Sequence, residues 1–365
     1  MKKNSQEKIY GDISIVNSPK SKIEITGSIP VDVFSAYRPQ ALKNINESIS
    51  LDGFRKGKIP ENVLISKVGD KTILEEMAEL ALGDAYPAIV LDKKLDPIGR
   101  PEIKITKLAA ENALEFTIST AVMPEIALPD YKKIALGIMK DAEKNDAKIV
   151  VEEKDVTEAI DRIRRSMAER SHTHDESHEK MTKEEHDKEI EAAMPVLDDS
   201  FVQKLGKFND VVDFKNKVKE MLLDDKKVQS KEKRRIEISD KIGEATVVEI
   251  PDILVNSEIK RIQAQFSDDI ARMGIPLEDY LAHAKKSIED IKNEWRPQAE
   301  KKAKLQIIID KIAQIEKIKA DQIAVEQEIK HILEHYKDAD AERAAVYAET
   351  VLINDAVFAF LEGQK

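Results

Sequence analysis

The sequence predicts an α+β N-terminal domain followed by a mainly α-helical, elongated C-terminal domain with projecting helical arms. Alternation of apolar and polar residues, which is typical of strands, is confined to the first third of the chain. After Pro195 the apolar residues recur at helical spacing instead. The 365 residues also include only 12 Gly and 13 Pro, which are few for an all-β protein with many turns.

Three short segments of the first third alternate apolar with polar or small residues, so we expect each to place one side against a core. They contain Ile23 and Ile25, Ile103 and Ile105, and Leu114, Phe116 and Ile118. Apolar residues at helical spacing occupy residues 34–49 and 73–82. Pro39 lies within the first helical stretch and predicts a kink or a restart there, because proline lacks a backbone donor and clashes with the preceding turn.

The predicted domain boundaries follow changes of pattern along the chain. Residues 1–125 form the N-terminal domain, residues 126–195 a connector, and residues 196–365 the helical C-terminal domain. The connector combines an extended stretch, a helix that starts near Asp155, and the charged segment 169–191. This segment holds nine acidic residues and four of the seven histidines, so it cannot bury a core. Its composition leaves open whether it is a mobile linker or an exposed helix.

Six helices are predicted in the C-terminal region, at residues 210–244, 252–273, 277–293, 298–317, 321–337 and 340–360. Pro251, Pro276 and Pro297 are expected at their boundaries, since proline fits the first turn of a helix and not its interior. The first helix is long and charged with thinly spread apolar positions, which favours a projecting arm over a buried rod. Six aromatic residues are expected to pack in the core or between helices, with contact to a bound polypeptide as the alternative. They are Tyr280, Trp295, Tyr336, Tyr347, Phe358 and Phe360.

The charge of the chain is unevenly distributed. Lys and Arg number 59 and Asp and Glu 70, and the net charge of −11 argues against a protein that binds nucleic acid over its whole surface. Residues 1–125 carry 17 basic and 18 acidic residues, whereas residues 126–365 carry 42 and 52, so almost all of the acidity lies in the second region. The sequence contains no cysteine and no apolar run long enough for a signal peptide or a membrane span. We therefore expect a cytoplasmic protein that binds neither DNA nor membranes.

Few residue patterns suggest catalysis or metal binding. The sequence contains no nucleophile elbow, Walker loop or dinucleotide fingerprint. His174 and His178 are four residues apart, with His172 and His186 nearby, and this spacing suits metal ligands on one helical face. A solvated linker is the preferred interpretation of the same residues. We expect no catalytic site, no metal site and no cofactor.

The most informative sequence is the segment Gly53-Phe54-Arg55-Lys56-Gly57-Lys58-Ile59-Pro60. It displays three cations in four positions, with Phe54 at one edge and Pro60 at the other. Glycines permit a tight exposed loop, cations contact phosphates or carboxylates, and a phenylalanine offers an apolar anchor. The segment suits a docking loop and not a catalytic one, but from composition alone an ordinary basic hairpin or helix–helix loop is the preferred interpretation.

The string GFRKGKIP, between two predicted helices, closely resembles the ribosome-binding signature of the bacterial trigger factor family. Other segments are similar to family segments in the same order. They are LDPIGRPEI, LEFTISTAVMPEI, VEEKDVTEAIDRIRRSM and PVLDDSFVQKLGKFNDVVDFKNKVKEML. The resemblance covers roughly residues 20–360, and the helical C-terminal third matches by pattern more than by identity.

The resemblance implies an ATP-independent chaperone that docks near the exit tunnel of the large ribosomal subunit, on ribosomal protein and rRNA phosphates. Its helical domain would hold nascent or unfolded chains in a cradle during folding and export. Carried over by position, the docking residues are Phe54, Arg55 and Lys56, and the residues that shape or support the loop are Gly53, Gly57, Lys58 and Pro60. Reversible, salt-dependent binding to phosphate suits a local cation cluster on an acidic protein. The resemblance leaves open whether the protein also forms a weak homodimer.

The sequence departs from the family in the connector. Usual members carry an FKBP-type prolyl isomerase domain there, which needs a sheet, a helix and an aromatic pocket. Here the gap is filled by the charged segment, and no Phe, Trp or Tyr occurs from Lys132 through Ser200. We therefore expect the isomerase domain to be absent and the protein not to be an enzyme. The alternative is a helical adaptor or scaffold protein whose basic loop binds a folded acidic partner; a prolyl isomerase is a third, disfavoured hypothesis.

Overall fold

The computed structural model describes residues 8–146, 148–171, 183–336 and 339–364. Its strands are β1 (Ile13–Ser18), β2 (Lys22–Ile29), β3 (Pro97–Lys107) and β4 (Leu114–Val122). Its helices are α1 (Val31–Ser35), α2 (Arg38–Ser48), α3 (Glu61–Lys93), α4 (Tyr131–Asp146), α5 (Glu153–Ser171), α6 (Lys183–Ala193), α7 (Asp199–Leu205), α8 (Val211–Ala245), α9 (Asp252–Arg272), α10 (Leu277–Ala284), α11 (Ile288–Glu316), α12 (Gln322–His335) and α13 (Ala341–Glu362). The predicted order, an α+β region followed by a helical region, is confirmed.

The four strands form one antiparallel sheet in the order β1-β2-β4-β3. Ile25 of β2 pairs with Ile118 of β4, and both side chains are buried. The alternation predicted for these two strands is therefore confirmed. The expectation that Ile103 and Ile105 lie against a core is wrong, because β3 is an edge strand and these side chains are 42% and 41% exposed. The other edge strand, β1, was not predicted.

Helices α1 to α3 share one hydrophobic core with the sheet. The restart predicted at Pro39 is confirmed, since α1 ends at Ser35 and Pro39 lies in the first turn of α2. Gly69 interrupts α3 with a φ of +79°, which is outside helical geometry. Beyond this interruption, α3 buries a stripe of small and large apolar residues in the shared core. The core therefore fixes both helices that flank the segment 49–60.

The helices that follow α8 differ from the prediction at one proline. Pro251 and Pro276 immediately precede α9 and α10, as expected. Pro297 lies inside α11 instead, so the boundary predicted there is wrong. The break occurs after α10, where Lys285 adopts a left-handed φ of +53° and ends the helix. Buried residues of α11 occur on both sides of Pro297, at Ile291 and at Ala299 and Ala303.

The chain forms two compact units, each built from two stretches of sequence. The first comprises Met1–Ala127 and Thr246–Lys311, and the second Leu128–Ala245 and Ile312–Lys365. This division groups α9 and α10 with the sheet. The three predicted regions, 1–125, 126–195 and 196–365, are continuous in sequence, whereas each of these units combines two separate stretches. The three regions stay a prediction.

An ion-pair cluster joins the two stretches of the first unit. Lys20, in the turn between β1 and β2, places its Nζ 2.9 Å from Asp252 at the start of α9. Arg296 of α11 donates to the same carboxylate at 2.6 Å. The hydrogen bond from Lys20 is the main reason that the pKa of Asp252 lies below its usual value. Ser21 adds a hydrogen bond to the Glu249 carbonyl at 3.1 Å.

The described residues of the second unit form helices and connecting loops, without a strand. Helix α8 packs against α4 and α5, and buries Phe214, Val218, Ile238 and Ile242. The middle of α8 is more open, with Val228 and Ile236 more than half exposed. Near the end of the chain, Phe358 and Phe360 lie under Arg235 and Lys132, which confirms that these two aromatic residues pack between helices.

Candidate functional site

The segment 51–60 connects α2 to α3 as two consecutive tight turns. The Phe54 amide donates to the Leu51 carbonyl at 3.0 Å, and the Lys58 amide donates to the Arg55 carbonyl at 2.9 Å. These are the bonds between the first and fourth residues of two β-turns. The predicted segment is therefore a short ordered loop. We call residues 53–60 the basic loop.

Gly53 and Gly57 each occupy the third position of a turn. Their φ angles are +86° and +78°. A type II turn requires a positive φ at this position, and glycine adopts it without steric cost. The surrounding space is open, because a Cβ on Gly53 would have no neighbour within 4 Å and one on Gly57 would approach only Glu47, at 3.8 Å. The two glycines are therefore required by the backbone angle and not by crowding.

Asn46 of α2 fixes the second turn and the exit of the basic loop. Its backbone carbonyl accepts from the Gly57 amide at 3.0 Å. Its side-chain nitrogen donates to the Ile59 carbonyl at 2.7 Å, while its side-chain oxygen accepts from the Ile59 amide at 3.1 Å. Ile59 is only 3% exposed and belongs to the core. Asn46 was not predicted, and its only sequence signal is a polar residue in the last turn of a helix beside the loop.

The predicted docking side chains of the basic loop face solvent. Phe54 is 39% exposed, and Arg55, Lys56 and Lys58 are exposed as well. Within the described ranges, none of these three cations forms an ion pair. Pro60 precedes α3, and its carbonyl accepts the amides of the first helical turn. All the predicted site residues thus lie together on one loop, and their role in docking stays a prediction.

Replacing Asn46 by alanine should loosen the basic loop. The variant loses both side-chain bonds to Ile59 and leaves polar backbone atoms of a half-buried segment without partners, so we expect a cost of about 1–3 kcal/mol in the free energy of unfolding. The resemblance to the trigger factor family implies that ribosome affinity should also fall several-fold, because the turns lose their fixed geometry. Denaturant titration and ribosome co-sedimentation measure the two effects.

Asn44 supplies the matched control for this variant. It lies on the same helix, and its side chain donates to Glu76 of α3 and accepts from Gln40 of α2, both at 2.8 Å. Asn44→Ala should therefore lower stability and leave ribosome affinity unchanged. Equal affinity losses in the two variants would show that Asn46 does not act through the loop.

A second candidate surface lies on α12, on Tyr336, which directly follows this helix, and on α13. The two helices contact each other, and four apolar side chains on them are more than half exposed. We call Ile323, Tyr336, Val346 and Tyr347 the α12–α13 apolar surface. The expectation that Tyr336 and Tyr347 pack internally is wrong. The same expectation is confirmed for Tyr280 and Trp295, whose rings contact Phe266 edge-on at 5.4 and 5.2 Å.

Helix α13 is unusually apolar for a surface helix. The expectation that no stretch of the sequence approaches the length of a membrane span is wrong for this helix, which is long and apolar enough to cross a membrane, judged by length and composition alone. Of the relevant window, 22% is buried. A single helix of this kind is weak evidence for a membrane segment. Val346 and Tyr347 of this helix are more than half exposed, and exposed large apolar side chains that lie together mark candidate interaction sites.

The predicted histidine cluster lies mostly outside the described residues. This applies to His172, His174 and His178, and to the side chain of His186. In the described ranges, no group of three or more His, Cys, Asp or Glu side chains is placed to hold a metal ion.

Two family models match the chain. A model described as "Bacterial trigger factor protein (TF)" matches residues 12–163, and one described as "Bacterial trigger factor protein (TF) C-terminus" matches residues 210–360. The two matches together cover well over half of the sequence. The chain belongs to the trigger factor family. Residues 164–209 separate the matched segments of this trigger factor.

Relatives named trigger factor align with nearly the whole chain. The protein of Alkaliphilus metalliredigens (strain QYMF) is 24% identical over an alignment of 386 positions, gaps included, and the alignment covers 88% of this chain and 90% of the relative. That of Macrococcus caseolyticus (strain JCSC5402) is 24% identical over 404 residues, with coverages of 91% and 93%. That of Clostridium botulinum (strain Langeland / NCTC 10281 / Type F) is 20% identical over 414 residues, with coverages of 96% and 95%.

A solved structure supports the same fold. It comes from work entitled "Promiscuous Substrate Recognition in Folding and Assembly Activities of the Trigger Factor Chaperone". The match covers 97% of this chain and 100% of the solved chain, with a TM-score of 0.52 and 16% identity. The predicted family, fold class and chaperone function are confirmed by these matches, and the adaptor alternative is not favoured.

Proposed function

We propose that this protein docks on the large ribosomal subunit near the exit tunnel through the basic loop and holds nascent chains there without ATP. The observation that carries this proposal is the presentation of Phe54 with three cations on a pair of ordered turns. Arg55, Lys56 and Lys58 are exposed and, in the described part of the chain, form no ion pairs. They are free to meet an external anion without first breaking an internal contact.

The chemistry of the basic loop suits a ribosomal surface. Binding of lysine and arginine to rRNA phosphates releases counterions, so it is reversible and weakens as salt is raised. Phe54 adds an apolar contact that ribosomal protein can cover. The net charge of −11 limits attraction of the rest of the chain to RNA. The difference in charge between the basic loop and the rest of the protein therefore directs binding to the loop.

The α12–α13 apolar surface suits capture of unfolded chains. Its four residues combine two aromatic and two aliphatic side chains that are already exposed, so each contact with a client buries apolar area from both partners. Weak contacts at several positions permit release when the client buries its own apolar residues. No covalent chemistry is required, which is consistent with an ATP-independent chaperone of the cytoplasm.

We expect the protein to lack prolyl isomerase activity. The alignments with the Alkaliphilus and Clostridium relatives span 386 and 414 positions, more than the 365 residues of this chain, so the relatives contain stretches without a counterpart here. The stretch between the two matched segments, residues 164–209, includes no Phe or Tyr before Phe201 and no Trp. This composition does not supply an aromatic pocket for proline.

A peptide assay tests this expectation directly. The purified protein should leave the cis-to-trans rate of an X-Pro peptide at its uncatalysed value, which corresponds to tens to hundreds of seconds at 25 °C. A trigger factor that carries the isomerase domain serves as the positive control. A rate that rises in proportion to the concentration of this protein would contradict the expectation.

Two measurements on the wild-type protein test the proposed function. It should pellet with bacterial ribosomes at low salt, and near-stoichiometric amounts should suppress aggregation of several unrelated unfolded proteins. An adaptor would ignore unfolded proteins and retain one folded partner. Aggregation suppression without pelleting would mean that the chaperone works away from the ribosome, and pelleting without suppression would remove the client-holding role.

A further inference from the structure

Helix α12 carries two histidines one turn apart. His331 and His335 have ring centroids 4.6 Å apart, at an interplanar angle of 70°. Both residues are exposed, so the core does not restrict their rings. Residues four apart are neighbours on one helical face, and two histidines at this spacing on a helix present two imidazole nitrogens to one ion.

Glu328 lies one turn before His331 on the same face of α12. Its Oε1 is 4.0 Å from Nδ1 of His331. A carboxylate beside one nitrogen of a ligating histidine orients the ring and leaves the other nitrogen, Nε2, for the metal. The acidic residue between the two histidines, Glu334, instead faces Lys330 at 3.8 Å. The carboxylate that can orient the pair is therefore Glu328.

We infer that His331 and His335 form a bidentate site for a divalent transition-metal ion of the Zn²⁺, Ni²⁺ or Cu²⁺ class, with Glu328 as a positioning residue. Imidazole ligands select these ions over Mg²⁺ and Ca²⁺, which prefer oxygen ligands. Because no larger ligand group is assembled in the described ranges, water completes the coordination sphere. The two rings need only turn about their side-chain bonds to direct both Nε2 atoms at one ion.

Bound metal would link two successive turns at the end of α12. Packing stabilises this helix only weakly, because Val325 is the one described residue of α12 that is buried. The link lies directly before Tyr336 and therefore beside the α12–α13 apolar surface. Metal is expected to stabilise the C-terminal turn of α12 without covering that surface.

The experiment uses the full-length protein with His172, His174, His178 and His186 replaced by glutamine, so that three histidines remain. Calorimetric titration with Zn²⁺ should show about one ion per chain. His331→Gln or His335→Gln in this background should abolish the heat, whereas His283→Gln on α10 should leave it unchanged. Circular dichroism checks that each variant keeps its helical content.

A spectroscopic measurement identifies the ligands. The electron paramagnetic resonance signal of bound Cu²⁺ should show coupling to two imidazole nitrogens, and Glu328→Gln should weaken Zn²⁺ affinity several-fold while keeping this coupling. Unchanged affinity would remove Glu328 from the site. Absence of Zn²⁺ binding to the three-histidine protein, or binding that persists in His331→Gln, would overturn the inference.

Discussion

Replacing Phe54, Arg55 and Lys56 together by alanine should lower ribosome affinity by at least about a hundredfold. The three side chains are exposed on ordered turns, so truncation removes contacts without disturbing the core. Interface anchors of this kind cost about 2 kcal/mol or more each when truncated, and a loss of about 2.7 kcal/mol already corresponds to a hundredfold. The free energy of unfolding should change by less than about 0.5 kcal/mol. Co-sedimentation with ribosomes across a salt series measures the effect.

The edge strand β3 provides a matched control. Ile103 is 42% exposed, close to the 39% of Phe54, and Lys104 and Lys107 are exposed cations. The Ile103→Ala, Lys104→Ala, Lys107→Ala variant therefore removes one half-exposed apolar side chain and two charges from the same unit. It should pellet like the wild type. If the two triple variants lose binding equally, the basic loop is not the docking determinant.

Polar substitution of the α12–α13 apolar surface should cause the second large effect. We expect the variant Ile323→Ser, Tyr336→Ser, Val346→Ser, Tyr347→Ser to need at least about ten times more protein to suppress aggregation. Covering one large apolar side chain contributes about 1.5–3 kcal/mol, so the loss of four exceeds the 1.4 kcal/mol that a tenfold change requires. Light scattering of an unfolded client measures the change, and ribosome binding should be retained.

Val16 and Leu91 supply the control for this surface. They are 59% and 78% exposed and belong to the first unit. Val16→Ser with Leu91→Ser lowers exposed apolar area without touching α12 or α13, so aggregation suppression should stay at the wild-type level. Equal losses in both variants would mean that protection depends on total apolar area and not on the α12–α13 surface.

The parts of the fold that follow from local pattern could be predicted from the sequence. Leu114, Phe116 and Ile118 alternate with less buried residues and proved to be buried. Pro39 lacks a backbone donor, so it predicted that a new helix starts near this position, and α2 begins one residue before it. In the basic loop, the glycines indicated tight turns, and both have the positive φ that such turns need.

Other features depend on tertiary contacts that a residue pattern does not contain. Ile103 and Ile105 alternate like core residues, yet their strand lies at the edge of the sheet. Tyr336 and Tyr347 have the composition of packing residues, and only their neighbours decide that they are exposed. Asn46 acts through a residue thirteen positions away. These contacts form only when helices and strands that are distant in sequence pack together, and a single sequence does not show which of them do.

The discontinuous first unit has a consequence for the order of folding. Its hydrophobic core draws its buried residues from Tyr10 to Ile118, so the sheet and its helices can collapse as soon as this part of the chain has been synthesised. The bond between Lys20 and Asp252 spans 232 positions of sequence, and closing so long a loop must wait for the later stretch. The basic loop can therefore acquire its shape from contacts within the first 118 residues, before α9 is added to this part of the unit.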